Sequence, residues 1–294
     1  MDLQEGTSGL PRNHSSTILT NASAEHTDPR EYTTPQAENI GRVHQIMESI
    51  EALLSSYPRQ RPPLSPAHES HYLAEYRINR TGSSPITALV VKAESWMHRK
   101  IGERQSAGTI LELGAGTLNH IPHEHGFHAY DFVEPFRALW ENSPLLPLTR
   151  AHYQDISDVP PQDRYDRIIS AAVLEHLQHL PQTIARAALL LDSSGILQAG
   201  IPSEGGLLWA LAWRCVTAPA YRLRTGLRYA DLMRHEHLST ATEILTVVRH
   251  FFNSVRLSWF PLPHLHFSFY IYFEADNPRR DLCQQYLARI SRSE

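Results

Sequence analysis

The stretch 110-ILELGAGTLNH-120 decides how this chain folds. An apolar run, 109-TILEL-113, breaks at two glycines separated by one residue. Short apolar runs of this kind read as buried strands. Gly114 and Gly116 then allow a sharp turn in which backbone can approach a ligand with no Cβ between them. Glu112 stands two residues before the first glycine, an acid inside an otherwise apolar strand. Taken alone the G-x-G turn is a weak signal, because unrelated nucleotide-binding chemistries share it.

Outward from that turn the texture is strand, helix, strand. The runs 129-AYDFVE-134, 165-YDRIISA-171 and 195-GILQAGI-201 alternate with helical segments such as 181-PQTIARAALLL-191. Strands joined by helical crossovers predict a mainly parallel sheet with ligands at the strand carboxyl ends. Glu134 falls at one such end, where a carboxylate can accept both hydroxyls of a ribose, and Asp155 follows the next strand, where an acid can take an exocyclic amine and Ile156 can cover a ring. Residues 251–260 and 264–274 read as a terminal antiparallel pair, with a helix near 239–249 before them.

Upstream, residues 1–36 are rich in Ser, Thr, Asn and Pro and are expected to be a disordered tail. A helical extension is expected over 37–104, with helices at 37–57 and 85–102, the second capped by Ser83 or Ser84, and a Pro-rich break between them. The core domain then runs 105–276 with a helical lid at 204–235, and 277–294 is a C-terminal helix. Composition excludes some roles. The net charge of −4 argues against a nucleic-acid or anionic-membrane binder. No charged-then-apolar leader pattern opens the sequence and no run of ~18 apolar residues occurs in it, so neither secretion nor membrane spanning is expected. Two cysteines, Cys215 and Cys283, make no disulfide framework, so a cytoplasmic location is expected.

The segments 110-ILELGAG-116, 131-DFVEP-135, 153-YQDI-156, 163-DRYDRIISAAVLEHL-177 and 195-GILQAGIP-202 resemble the successive motifs of class I S-adenosylmethionine-dependent methyltransferases, nearest to the small-molecule group with a VLEH signature. The resemblance spans residues 105–202, and 234-RHEHLSTATEILTVVRHFF-252 is similar, more loosely, to a later segment of sugar- and lipid-modifying members. It implies a doubly wound α/β fold whose seven-stranded, mostly parallel sheet has the order 3-2-1-4-5-7-6. It also implies S-adenosylmethionine as cofactor, with contacts at Glu112, Gly114, Ala115, Gly116, Glu134, Asp155, Ile156, Ser170 and Ala171. Leu118 departs from the commonest G-x-G-x-G form of the first motif.

Methyl transfer needs alignment first, then a base where the acceptor is a hydroxyl. His176, just after the fourth strand, is the expected base, with bracing of the next helix as its bland alternative. Where some relatives complete a metal site with an acid, this chain has Ala172, so no metal is expected. Glu204, Arg224, Arg228, His235 and His237 in and just after the lid are expected to bind a small polar acceptor, sugar-like or phosphorylated, with Trp and Tyr for stacking. His235 and His237, two apart, do not share a helix face. Two other classes stay open: a nicotinamide oxidoreductase, weakened because Asn119 replaces the third glycine of the dinucleotide fingerprint, and a non-catalytic cofactor-binding scaffold.

Overall fold

The computed structural model describes residues 49–71, 85–104 and 107–292, all within one compact unit, Gln45–Glu294. The expected tail 1–36, the first part of the 37–57 helix and the Ser83 or Ser84 cap lie outside the described residues. Within them, residues 49–55 are helical and a further helical turn occupies 66–71, inside the expected Pro-rich break.

A seven-stranded sheet organises the rest. Its strands are β1 (Thr109–Leu113), β2 (Ala129–Val133), β3 (Ala151–Tyr153), β4 (Tyr165–Ala171), β5 (Leu191–Pro202), β6 (Phe252–Pro261) and β7 (Ser268–Pro278). They lie in the order β3-β2-β1-β4-β5-β7-β6, and β7 alone runs antiparallel to both its neighbours. The central strands are buried on both faces, which is why they read as nearly continuous apolar runs. Along β1, Leu111 and Leu113 enter one core, and Ile110 enters the other.

The first of these cores is completed by helices α2 (Leu180–Leu190), α6 (Ala241–Phe251) and α7 (Arg280–Ile290), through Ile184, Val247, Phe251 and Cys283. The opposite face is covered by α1 (Pro85–Gly102), whose Met97 and Ile101 are essentially inaccessible. Full burial of side chains of that size contributes about 1.5–3 kcal/mol each. Between β5 and α6 the lid comprises α3 (Leu207–Ala212), a π-helical turn at Trp213–Thr217, α4 (Ala218–Thr225) and α5 (Tyr229–Glu236).

Several boundaries differ from the expected ones: the helix near 239–249 is Ala241–Phe251, and the C-terminal helix is Arg280–Ile290 because β7 continues to Pro278. β5 begins at Leu191, because α2 leads into it with Leu191 as its C-cap. β7 begins at Ser268, because the His264 side chain accepts a hydrogen bond from the His266 backbone and closes a 3₁₀ turn over Leu265–Phe267. Among the described residues no helix is long and apolar enough to cross a membrane.

A buried polar chain ties α1 to the sheet. Arg167 on β4, 1% exposed, donates through Nη1 and Nη2 to both oxygens of Glu124, through Nε to Gln198 at 2.6 Å and through Nη2 to the Ile101 carbonyl at 3.0 Å. Glu124 also bonds His120 Nε2 at 2.9 Å, and His120 Nδ1 lies 3.0 Å from His98 Nδ1.

Candidate active site

The glycine turn follows β1 directly. Gly114 has φ +70, and a Cβ there would lie 2.4 Å from a methyl of Val173. Gly116 has φ +53 and donates its N–H to Glu134 Oε2 at 2.8 Å. The other Glu134 oxygen accepts from Phe136 N at 3.0 Å, so backbone donors on both sides orient this carboxylate. Leu118, at the position that departs from the glycine pattern, keeps the left-handed backbone with φ +65 and is fully buried. The turn therefore follows a glycine-type path without the glycine, its strain of about 1–2 kcal/mol opposed by burial of the leucine. Gly114→Ala is expected to combine an unfavourable φ with collision against Val173, displacing the turn. Calorimetry should show cofactor affinity reduced about tenfold or more, at a strain cost of about 1–3 kcal/mol.

At the carboxyl ends of β1, β4 and β5 opens a cavity of about 410 Å³, within the usual range for a small-molecule site. Glu112, Gly114, Thr117, Asn119 and Ala171 line it from the sheet side. Glu112 is buried and accepts from Tyr130 Oη at 2.7 Å. α1 contributes Glu94, Met97 and His98, while the lid and its exit contribute Trp209, Tyr229, Glu236 and His237. The connection after β4 supplies Ala172, Glu175 and His176, and Ala172 adopts φ +54, a conformation non-glycine residues rarely take.

The histidines differ in their surroundings. His176 Nδ1 lies 2.8 Å from the Glu236 carbonyl, which can only accept, so Nδ1 carries the proton and Nε2 presents a lone pair. Burial and the neighbouring His237 pull its pKa down to about 4. The His237 ring meets His176 edge-on, with centroids 4.9 Å apart, and its Nδ1 makes a short contact with a Glu204 oxygen. Burial lowers the His237 pKa, but the hydrogen bond to Glu204 and the charges of Glu204, Glu175 and Glu236 outweigh it and hold the imidazole above its ordinary value. Glu175 is 1% exposed, and burial pushes its carboxyl up to about 7.

Several expected site residues lie elsewhere. Arg224 and Arg228 are exposed on the lid and do not line the cavity. Helix phase leaves Arg224 outside, since α4 turns Tyr221 inward, and Arg228 is the extended N-cap of α5, whose inward face carries Leu232 and Met233. His235 points away and bonds the Pro62 carbonyl at 2.7 Å, whereas His237, two residues on, faces the cavity. Asp155 spends its Oδ1 on Ser157 N and Oγ as a helix cap and is exposed, beside buried Ile156. Ala115 is buried behind the turn, and Ser170 bonds the Leu113 carbonyl at 3.3 Å. Neither Glu175 nor His176 caps α2, whose N-terminus has no side-chain cap.

The sequence reading passed over Glu94, His98, Glu236 and Tyr270. Glu94 and His98 carried a signal: with Met97 and Ile101 they complete an i, i+3, i+4, i+7 stripe on α1, where a polar residue on the buried face is out of place.

A methyltransferase-domain family model matches residues 89–244, more than half of the chain. The chain belongs to that methyltransferase family. It is a class I S-adenosylmethionine-dependent methyltransferase, and S-adenosylmethionine is its cofactor. The nicotinamide and scaffold alternatives are thereby removed. No curated protein matches the chain. Among solved structures the methyltransferase is similar to an O-methyltransferase family protein from Burkholderia thailandensis, with 12% identity, 85% of this chain and 74% of that one covered, and a TM-score of 0.46. It is also similar to an S-adenosylmethionine-dependent methyltransferase from Thermotoga maritima, with 12% identity, 71% and 97% covered, and a TM-score of 0.48. A third similar structure is the plantazolicin methyltransferase BpumL in complex with SAH, with 12% identity, 79% and 99% covered, and a TM-score of 0.48.

The residues present fit the cofactor. Gly114 lets the backbone turn tightly against Val173 at the edge of the cavity, and Glu134 beside that turn is held by two backbone donors with lone pairs remaining for hydroxyl groups. Glu112 puts a carboxylate against the cavity where a cationic amino-acid moiety needs one.

Proposed function

We propose that this methyltransferase methylates a hydroxyl of a small, polar, sugar-like acceptor in the cytoplasm, with His237 rather than His176 as the base. The observation that carries this reading is the Glu204–His237 pair at the edge of the cavity. S-adenosylmethionine supplies a sulfonium-activated methyl group for in-line displacement. What the protein must add is alignment and removal of one proton. With Nδ1–H directed at Glu204, His237 turns Nε2 toward the acceptor, takes the hydroxyl proton, and shares the resulting positive charge with the Glu204 carboxylate. His176, depressed to about 4, is too weak a base for that step. Its Nε2 lone pair suits it to accept a hydrogen bond and to fix the His237 ring. A phosphorylated acceptor is not supported, because the arginine forks that would hold it stand outside the cavity.

Titration of S-adenosylmethionine, S-adenosylhomocysteine and NADH by calorimetry tests the cofactor side. The first two are expected to bind at micromolar levels. Glu134→Ala is expected to weaken both about 10–100-fold, the loss of one or two charge-assisted hydrogen bonds. Binding of NADH alone would overturn the reading. Transfer of labelled methyl to a panel of polyols then tests the acceptor side, and label on phosphorylated members only would refute it.

A further inference from the structure

Three buried side-chain atoms in this cavity have no hydrogen-bond partner: Glu175 Oε2, Glu236 Oε1 and Trp209 Nε1. Leaving a buried polar atom unmade costs about 1–3 kcal/mol, more when it is charged, so a site with three is built for something that satisfies them. Two of the three can accept a hydrogen bond from a donor-bearing ligand. Glu175 is almost wholly buried, and among the described residues its ion pair is with a histidine and not with an arginine or lysine: His176 Nε2 lies 3.7 Å from Oε1, and the His237 imidazole acts on it electrostatically.

The surroundings match in chemistry. Trp209 and Tyr270 pack edge to face with centroids 5.8 Å apart, and Tyr229 lines the same wall. Glu94 and Glu175 act electrostatically on Tyr270, and Glu94 and Glu236 on Tyr229, so the aromatic rings and the carboxylates share one space. Among the described residues no arginine or lysine lines the cavity. Arg61 reaches Glu236 Oε2 only at 3.8 Å while its guanidinium is spent on the His176 and His235 carbonyls. Aromatic faces combined with carboxylates that keep one oxygen without a hydrogen-bond partner, as Glu175 and Glu236 do beside His176, attract organic cations. The cofactor accounts for one carboxylate, Glu112, which leaves Glu175 and Glu236 over.

We propose that the acceptor is a hydroxyl-bearing amine, such as an amino alcohol or amino sugar, whose ammonium group is held by Glu175 and Glu236 against Trp209, Tyr229 and Tyr270. The inference rests on the hydroxyl-methylation reading above and deepens it. An amine kept among carboxylates stays protonated and has no lone pair to attack with. The ammonium is therefore the handle, and a hydroxyl near His237 is the nucleophile. In the reaction the O–CH₃ bond forms as the S–CH₃ bond breaks, the bonding pair returns to sulfur, and the hydroxyl proton goes to His237.

The test uses the full chain saturated with S-adenosylhomocysteine, titrated calorimetrically with ethanolamine, whose ammonium can donate to both carboxylates, and with its uncharged isostere propan-1-ol. Ethanolamine is expected to bind about tenfold or more tightly than the isostere, the worth of one hydrogen bond to a charged group. Glu175→Gln, which keeps the volume and removes the charge, is expected to abolish that preference while leaving the thermal midpoint near that of the wild type. Trp209→Phe, retaining an aromatic ring, is the second variant and is expected to weaken ethanolamine more mildly. Equal binding of the two probes, binding of neither, or a preference that survives in Glu175→Gln would overturn the inference. Failure of S-adenosylhomocysteine itself to bind would instead strike the cofactor assignment, so the two failures are told apart.

Discussion

Replacing His237 by Ala lowers the rate of methyl transfer by about 10²–10⁴-fold, the usual contribution of a positioned base, while S-adenosylhomocysteine binds as it does to the wild type. The expectation follows from position and charge together. His237 is the C-cap of α5, its backbone N–H bonding Met233 O at 2.9 Å, which fixes the ring against the cavity. Glu204, at the start of the lid, accepts from Nδ1 and so sets the tautomer. The pH dependence carries the same signature. Only the deprotonated imidazole can take a proton, and its pKa is raised above the ordinary 6.5. Activity in the wild type should therefore climb with pH through a midpoint above that value. Glu204→Gln removes the charge that raises it, so the climb should move to lower pH while the plateau rate falls. An unchanged rate in His237→Ala would mean that the acceptor needs no base from this residue. His176→Ala, by comparison, should retain a base-dependent pH profile, since its ring orients rather than abstracts.

The second large effect concerns stability. Arg167→Ala is expected to destabilise the fold by about 3–5 kcal/mol, because it leaves Glu124 as an uncompensated buried charge. Glu124 is 1% exposed in its side chain and depends on Arg167 and His120 for its hydrogen bonds. Burial alone would raise the Glu124 pKa, but the bonds to His120 and Arg167 lower it below the ordinary value. A depressed carboxylate contributes stability that is present above the unfolded pKa and is lost as the pH falls through the folded one. The wild type should accordingly lose this contribution on acidification below about pH 4.5. Chemical denaturation gives the free-energy difference directly, and thermal melting should fall by on the order of 10 °C for a domain of this size. The double variant Arg167→Met with Glu124→Leu, which removes both charges, should recover much of the loss. If the single variant is as stable as the wild type, the buried pair does not anchor α1 to the sheet as described.

By itself the sequence determined what depends on neighbours a few residues apart. Apolar runs of strand length separated by helical crossovers require a parallel sheet, and a parallel sheet puts its ligand sites at strand carboxyl ends. Glu112, Gly114 and Gly116 were legible because strand, acid and turn occur within seven residues. Glu134 was expected at a site because β2 ends just before it; the structure gives its carboxylate two backbone donors but does not place it among the residues lining the cavity. Leu118 shows the limit even at short range. It departs from the glycine pattern, and nothing in that substitution says which backbone it takes, yet the buried leucine keeps a left-handed conformation.

Only the tertiary structure decided which residues meet. Glu204 and His237 stand 33 residues apart and both were noted in the sequence, but nothing in their spacing pairs them. His176 takes its tautomer from a carbonyl 60 residues away. Arg224 and Arg228 looked like anion ligands, whereas Arg224 lies on the outer face of α4 and Arg228 is exposed in the turn before α5, leaving an acidic, aromatic cavity behind them. The physical reason is common to all three cases. Backbone geometry sets the period of a helix or strand locally, but the rotation of that element about its axis is set by burial summed over the whole core, and the side chains that face one another across a cavity depend on that sum.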